Sequence, residues 1–515
     1  MKALIETIIR ANNYMDSIFL MRASREMQQI SGVRKAVAVM GTDMNKTVLE
    51  EFGVDAEMVA GTSPNDLILA LDIQDKSVLK EAQSSLTALL TQKEPTAAVE
   101  RTYQTLRHAL RETPEANLAV ISLPGQFAAA EARTALEHGM HVFIFSDGVP
   151  LADELELKRL GRAKDLLVMG PGAGTAIIDQ IAIGLMSKVR PGRIGIVAAS
   201  GSGLQEVAIL IHQAGLGVSQ AIGAGGRDLS GEVGGSTMLQ GIRFLLADSA
   251  TDVVVLISKP PHPDTAAKMF AAVENCGKPV VVFFLGGEPP QRAGIYATAT
   301  LEEAAVVACR LAKGEEPARG DFVSDLKQEL ITLAAAEKSK LKPEQKYMRG
   351  LFCGGTHSEE AILLLAGFVP HLHSNIKIGQ SVLLADRRQS RQNSLVDMGD
   401  EEFTKGRPHP VMDPSILNDR LLQEGADPEV GVILFDLLLG YGVHKDPVGT
   451  IEATLRTINR NAASAGRYIS LIASVCGTDL DPQGCAEQKR RLTDLGVVVL
   501  PSNARAALLA GLIVS

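Results

Sequence analysis

Long, mainly apolar runs recur along this chain, and most are followed by a short turn and a helical pattern. They lie at residues 118–123, 141–145, 193–198, 253–258, 279–285, 431–436, 468–474 and 497–500. A strand that is apolar on both faces must be covered on both, which is the condition of a parallel sheet with helices on either side. The chain is therefore restricted to the α/β class. Its 515 residues exceed what one hydrophobic core supports, so several such domains are expected.

The first part reads differently. Short elements alternate over residues 1–92: strands at 3–9, 33–40 and 66–73, and helices at 14–29, 44–51 and 76–90. This predicts a small ferredoxin-like α/β unit. It carries no chemical motif, which leaves assembly as its expected role. The polar stretch 91–100, with Pro95 inside it, reads as a linker. Charged, helix-prone sequence over 314–347 reads as a second connector.

Composition narrows the function. Fifty-one basic against sixty acidic side chains give a net charge of −9, which argues against nucleic acid or an anionic membrane as the main partner. With no Trp and 4% aromatic residues, no stacking platform for single strands is expected. The five cysteines form no C-x-x-C pair and no zinc-ligand spacing, which predicts neither a disulfide framework nor a metal site. Lys2, Glu6 and Arg10 interrupt the apolar N-terminus, and no run of eighteen uncharged apolar residues follows. The expectation is a cytoplasmic protein without a signal peptide or membrane span, acting on a small anionic substrate.

Two segments open alike: IGIVAASGSGLQEVAILI (194–211) and LFCGGTHSEEAILLL (351–365). Each is an apolar strand, a small-residue turn and a helix start. In the first, Ser200, Gly201, Ser202 and Gly203 allow close backbone approach at a helix N-terminus, where unpaired amides favour an anion such as phosphate. An N-cap beside a tight turn fits equally. Gly354, Gly355 and Thr356 form the second turn. The adjacent His357 fits either a capping or surface residue, or a proton donor or covalent carrier. If both helix starts face one point, together they hold a phosphoryl or carboxyl group without a metal.

Two loops add candidates. The densest polar stretch runs from Asn393 through Asp397 and Asp400 to Arg407, His409 and Asp413. Pro408 and Pro410 keep the backbone around His409 out of helix and ladder, predicting a stiff loop. It suits orientation of an oxyanion or exchange of a proton, while Asx turns and structural packing are the alternative. The glycine-rich segment with Gly225, Gly226 and Arg227 reads as a loop closing over substrate, or as a surface ion pair between Arg227 and Asp228. The run 170–174 contains G-x-G without the later spacing of a dinucleotide fingerprint.

These residues resemble a known family. Ser146-Asp147-Gly148-Val149-Pro150, Gly170-Pro171, Pro191-Gly192-Arg193-Ile194-Gly195-Ile196-Val197, Ser200-Gly201 and Gly223-Ala224-Gly225-Gly226 match the α subunit of succinyl-CoA synthetase. Residues 350–515 resemble the CoA-ligase domain of its β subunit. The combined order, with Gly406-Arg407-Pro408-His409-Pro410, is similar to the FdrA family of acyl-CoA-synthetase-like proteins. The resemblance implies a partial Rossmann-like domain of CoA-binding type at 101–190 and a flavodoxin-like synthetase domain at 191–318. A helical linker at 319–347 and a second flavodoxin-like domain at 348–515 follow.

In the synthetases two helix N-termini share a phosphate that a histidine in a Gly-His-Ala-Gly loop carries. The Ser200 and Gly354 turns correspond to those helix starts. The carrier has no counterpart: residues 288–296 read EPPQRAGIY, and no histidine lies between His262 and His357. The glutamate steadying it is also missing, since its region reads Ile257-Ser258-Lys259-Pro260-Pro261. There is no glycine-rich CoA-phosphate loop before Asn117 and no ATP-grasp domain. The resemblance implies acyl or carbamoyl transfer from a phosphorylated donor, as in the transfer to oxamate associated with this family. Arg407 would then supply positive charge, and His409 or His357 would move the proton. Additional enzyme subunits and a homo-oligomer are expected, with phosphate or carbamoyl phosphate as ligand and CoA as a candidate cofactor. The alternatives are an acyl-CoA ligase working with a nucleotide-binding partner, and a non-catalytic ligand-binding subunit.

Overall fold

The computed structural model describes residues 4–15, 17–91, 102–287, 292–317, 320–404 and 408–515. It forms two compact units, one over Met1–Thr102 and one beginning at Tyr103. The first contains β1 (Leu4–Arg10), α1 (Ser17–Gln28), β2 (Val33–Met40), α2 (Asp43–Phe52), α3 (Ala56–Val59), β3 (Leu67–Ile73) and α4 (Val78–Thr91). Its sheet order is β1-β3-β2, with β3 antiparallel to both neighbours, the ferredoxin-like arrangement. Leu67, Leu69, Leu71 and Ile73 face Ala23, Met27, Ala82 and Leu86 on one side. Ile68 and Ala70 face Leu49 and Val59 on the other, so the two short helices between β2 and β3 cover the second face.

The second unit opens with α5 (Leu106–Glu112), β4 (Leu118–Ile121), α6 (Gly125–Glu137), β5 (His141–Ile144), α7 (Leu151–Ala163) and β6 (Val168–Met169). Here β4, β5 and β6 make a parallel three-stranded sheet. A hairpin follows, β7 (Thr175–Ile178) and β8 (Ile181–Gly184), turning at Asp179 and Gln180, which have φ of 46° and 68°. This hairpin pairs with the next sheet, so that sheet begins well before residue 191.

That sheet is built from β9 (Pro191–Ala198), α8 (Gly201–Gln213), β10 (Val218–Gly223), α9 (Ser236–Ala247), β11 (Val253–Ser258), α10 (Pro263–Val273), β12 (Val280–Phe284), β13 (Ile295–Ala297) and α11 (Leu301–Ala312). Its order is β13-β12-β11-β9-β10-β7-β8, and the five strands β9 to β13 are parallel. This is flavodoxin-like order, with β9 at the point where the winding reverses. The helix α12 (Phe322–Lys338) is not a free linker. Its Leu326, Leu330 and Ala334 are buried in the core of the last domain, because their spacing makes one apolar stripe.

The last domain comprises β14 (Tyr347–Phe352), α13 (Gly355–Leu365), β15 (Leu372–Ser374), β16 (Val382–Leu383), β17 (Asn393–Asp397), α14 (Glu401–Thr404), α15 (Ser415–Ala426) and β18 (Val430–Leu438). It ends with α16 (Pro447–Ser464), β19 (Ser470–Cys476), α17 (Cys485–Asp494), β20 (Val498–Leu500) and α18 (Asn503–Val514). All seven strands are parallel in the order β16-β15-β17-β14-β18-β19-β20. Residues 393–397 are thus a buried strand, and the loop begins after Asp397. In both flavodoxin-like sheets a glycine turn leaves the carboxyl end of the strand at the switch point, where α/β proteins bind ligands. No helix among the described residues is long and apolar enough to cross a membrane.

Candidate functional site

The two glycine turns meet. Ser200 caps α8 by accepting the Gly203 amide at 3.0 Å, and its hydroxyl lies 2.6 Å from Thr356 Oγ1 on α13. The Thr356 amide donates in turn to Ser202 Oγ at 3.2 Å. The first turns of α8 and α13 therefore face one another. Among the described residues the first amides of the two helices, on Gly201 and Gly355, have no hydrogen-bond partner. Side chains are excluded where the turns are tightest. A Cβ on Gly354 would lie 2.7 Å from His357 Nδ1 and 3.0 Å from both Asp436 Oδ2 and Ser202 Cβ.

Asp436 stands behind this contact on β18, accepting the amides of Cys353 at 2.6 Å and Gly354 at 2.9 Å. Its Oδ2 also lies 2.8 Å from His357 Nδ1. The other ring nitrogen, Nε2, is 2.7 Å from Glu206 Oε2 of α8, without hydrogen-bond alignment. The imidazole is fully buried. Burial pulls its pKa down, but the Glu206 and Asp436 carboxylates and the Cys476 contact outweigh that and raise it well above the ordinary value. His357 thus has no nitrogen open to a phosphoryl group, which does not fit the covalent-carrier role. Glu206, His357 and Cys476 bring their ligand atoms within 4.8 Å of one another. Two ligands on one zinc ion, each ~2.0 Å from it in tetrahedral geometry, need more separation than this nitrogen–oxygen contact gives. The contact fits an ion pair between the imidazolium and the carboxylate.

A reciprocal arrangement joins the two flavodoxin-like domains. Glu206, five residues after Gly201, accepts the first amide of α18 from Asn503 at 2.8 Å. Glu360, five residues after Gly355, accepts the first amide of α11 from Leu301, also at 2.8 Å. Each helix behind a glycine turn thus caps the last helix of the other domain, which offers a carboxylate to the positive end of a helix dipole. Asn503 Nδ2 completes the net, donating to Glu360 Oε2 at 2.7 Å and to the His357 carbonyl at 2.9 Å. Burial and the nearby Glu206 charge raise the Glu360 pKa to about 7.

The outer side of the α13 turn gathers other candidates. Asp397, at the end of β17, places Oδ2 2.9 Å from where a Gly355 Cβ would stand. Its Oδ1 accepts the Gly399 amide at 2.8 Å. Burial, reinforced by Asp400, Glu359 and Asp436, raises its pKa to about 7 against the opposing pull of the Gly399 amide. A Cβ on Gly399 would lie 2.6 Å from His409 Nε2 and 3.2 Å from Asp397 Oδ1, so this glycine lets the two side chains approach. Burial lowers the His409 pKa against the opposing pull of Asp436. Lys259, beyond the end of β11, reaches across to Glu359 of α13 with Nζ–Oε1 2.5 Å.

Other predicted residues lie apart from this contact. Asp400 and Asp413 cap local turns by accepting the amides of Glu402 and Ser415. Arg407 lies outside the described residues. Arg227 and Asp228 do not pair with each other. Arg227 donates to the Val149 carbonyl at 2.6 Å and pairs with Glu154 at 2.8 Å. Asp228 is fully buried, contacts Lys158 at 2.6 Å and accepts the Thr237 and Met238 amides at the start of α9. Gly225, at φ 83°, passes so close to Pro171 that a Cβ would lie 2.3 Å from its carbonyl oxygen, whereas the Gly226 Cβ position is open. Sequence reasoning missed Glu206, Glu360, Asp436, Asn503 and Glu359. The equal offset of Glu206 and Glu360 from their glycine turns was the available signal.

Three family models match the chain. "AllF, heavy metal-associated domain" covers residues 1–105, "CoA binding domain" 189–286 and "CoA-ligase" 351–513. The CoA-binding match thus lies over the Ser200 turn. No cysteine precedes Cys276, so the first domain offers a heavy metal no thiolate. YahF of Escherichia coli, described as uncharacterized, is 40% identical over 98% of both chains. The α 2 subunit of succinate–CoA ligase (ADP-forming) from Archaeoglobus fulgidus is 29% identical over 39% of this chain and 69% of its own. The malate–CoA ligase α subunit of Methylorubrum extorquens is 28% identical over 39% of this chain and 71% of its own. Its end-to-end match to YahF, together with these domain matches, places the chain in the FdrA family of succinyl-CoA-synthetase-like, CoA-ligase-like proteins.

Proposed function

We propose that this protein transfers an acyl or carbamoyl group from a phosphorylated donor held between the first turns of α8 and α13, without a covalent carrier. The observation behind this reading is the meeting of the two turns, with Ser200 Oγ 2.6 Å from Thr356 Oγ1, in a chain without the carrier histidine. The amides and hydroxyls of 200–203 and 354–356 would hold the phosphoryl oxygens. An acceptor attacks the carbonyl carbon, the carbon–oxygen bond to phosphorus breaks, and phosphate leaves with its new charge facing two helix N-termini. The acceptor's proton passes to His409 or Asp397 beside the α13 turn. Positioning and preorganised dipoles supply the catalysis. His357 serves as an anchor behind the site, and Arg407 adds positive charge. Asp400 and Asp413 shape the His409 loop. Partner subunits and self-association complete the active assembly, in the cytoplasm.

The CoA-binding and CoA-ligase matches and the CoA-ligase relatives support a second reading, in which CoA is the acceptor or the chain is an acyl-CoA ligase with a nucleotide-binding partner. Thermal stabilisation separates the two, because a ligand raises stability only by preferring the folded state, by ~2.7 kcal/mol at a hundredfold excess over Kd. Carbamoyl phosphate should stabilise the protein and CoA should not. Acid-labile phosphate on the chain after incubation with ATP and partner subunits would refute direct transfer. Binding without turnover in the full assembly would assign a ligand-binding subunit instead.

A further inference from the structure

We infer that the last domain carries a further binding site, for a small hydroxylated organic anion, in a cleft at the end of its sheet remote from the glycine turns. The cleft measures about 500 Å³, within the range of small-molecule sites. Residues 467–469 and 496–498, which lead into β19 and β20, form one side of it. The closing turns of α12, α16 and α17 form the other, through Glu337, Ala462 and Thr493. The Gly354 turn leaves the opposite, carboxyl end of this parallel sheet, about 20 Å away along a strand such as β19. The site is therefore independent of the phosphoryl-cradle reading.

The lining selects the charge. Among the described residues Glu337 is the one carboxylate in the cleft, and both of its oxygens are taken. Lys340 Nζ lies 2.5 Å from Oε1, and the hydroxyls of Tyr468 and Ser470 donate to Oε2 at 2.8 and 2.7 Å. Burial opposes the Glu337 charge, but these contacts outweigh it and hold the pKa below the ordinary value. Lys340 and Glu337 thus cancel. Arg467 has no such partner: its Nη1 and Nη2 donate to the carbonyls of Asp427 at 2.8 Å and Gly425 at 3.3 Å, where α15 ends. A helix terminus offsets only part of a unit charge, and the guanidinium keeps N–H groups to spare. Lys342 Nζ, 3.3 Å from where a Cβ on the adjacent Gly466 would stand, adds positive charge beside it. In a chain of net charge −9, such a cleft concentrates anions. Two lining side chains retain acceptors. Asn459 Nδ2 donates to the Leu495 carbonyl at 2.8 Å, which leaves Oδ1, and the Thr493 hydroxyl donates to the Lys489 carbonyl at 3.0 Å, which leaves its lone pairs. These complement hydroxyl groups on the ligand, while Ala462, Ala463 and Val497 meet its carbon skeleton. A carboxylate and a phosphate both match the guanidinium fork.

The test is calorimetric titration of the full chain with gluconate, ribose 5-phosphate and sorbitol. At least one of the two anions should bind with one-to-one stoichiometry, and the tighter of them assigns the headgroup as carboxylate or phosphate. Sorbitol, hydroxylated but uncharged, should not bind. Arg467→Ala should weaken binding about tenfold or more, the loss expected for a charged hydrogen bond. Because Arg467 also closes α15, Ala463→Phe repeats the test by filling the cleft from an exposed helix position without removing a hydrogen bond. Ser200→Val, in the glycine turn of the other domain, should leave the affinity unchanged. Binding of neither anion, equal binding of sorbitol, or an affinity that survives both cleft substitutions overturns the site. Loss of binding in Ser200→Val with the cleft variants unaffected would move the anion to the glycine turns, and that result also overturns it.

Discussion

Replacing His357 with leucine tests whether the imidazole is a buried counter-ion or a reactive group. Glu206 Oε2 lies 2.7 Å from one ring nitrogen and Asp436 Oδ2 2.8 Å from the other, and both carboxylates are buried. Leucine preserves the packing volume and leaves two carboxylates without their shared cation. Breaking a buried pair in this way costs about 3–5 kcal/mol, which corresponds to about 6–20 °C in Tm for a domain of this size. The pH dependence adds a signature. The folded-state pKa of His357 is raised above the unfolded value, so its contribution is complete below pH ~6.5 and declines as the pH rises toward the folded value. Scanning fluorimetry of both proteins from pH 6 to 9 should show the largest gap at pH 6 and a narrowing gap above it. A variant melting within about 1 °C of the wild type at pH 6, or a gap that widens with pH, refutes the reasoning.

Three further substitutions probe the surrounding geometry. Asp397 has a folded pKa of about 7, so the folded state binds the extra proton and stability falls as the pH rises from about 4 to 7. Asp397→Asn should remove that slope and gain on the wild type at pH 8 relative to pH 5, read from urea midpoints. Gly399→Ala places a Cβ 2.6 Å from His409 Nε2 and 2.8 Å from the Cys353 carbonyl oxygen. It should cost about 1–3 kcal/mol and shift the His409 ring resonances in the NMR spectrum. Asp228→Ala removes a contact to buried Lys158 and the cap of α9, for a loss of about 2–4 kcal/mol in denaturant unfolding.

How much of this was legible in the sequence follows from which forces act locally. Apolar runs set the strands, and β9, β11, β12, β18 and β19 lie where the runs predict, because parallel strands buried on both faces need nothing but apolar side chains. The β7–β8 hairpin was not legible. It turns on Asp179 and Gln180 without the Asn-Gly or Gly-Gly signal, and its pairing with β10 is a tertiary choice. The α12 stripe was visible as helix, but what it docks on was not. The meeting of the Ser200 and Gly354 turns was foreseeable only as a possibility, since convergence depends on how two sheets pack. Asp228 was misread because the partner of a charged loop residue, here Lys158 seventy positions away, leaves no trace in its neighbours.

The reciprocal caps tie the two flavodoxin-like domains to each other within one compact unit. The first amide of α18 is accepted by Glu206 and that of α11 by Glu360, so separating the domains would strip each of a helix cap. The carboxylates also sense one another, because the Glu206 charge helps to hold the Glu360 pKa at about 7. A raised carboxyl pKa means that stability is lost as the pH rises from about 4.5 to 7. Glu206→Gln keeps an acceptor for Asn503 but removes that charge, so this pH slope should shrink. Glu360→Gln should remove its own slope entirely. A double-mutant cycle at pH 8 should give a coupling of about 0.5–3 kcal/mol across the interface. Additivity within about 0.3 kcal/mol would mean that the two caps act independently, each joining the domains on its own.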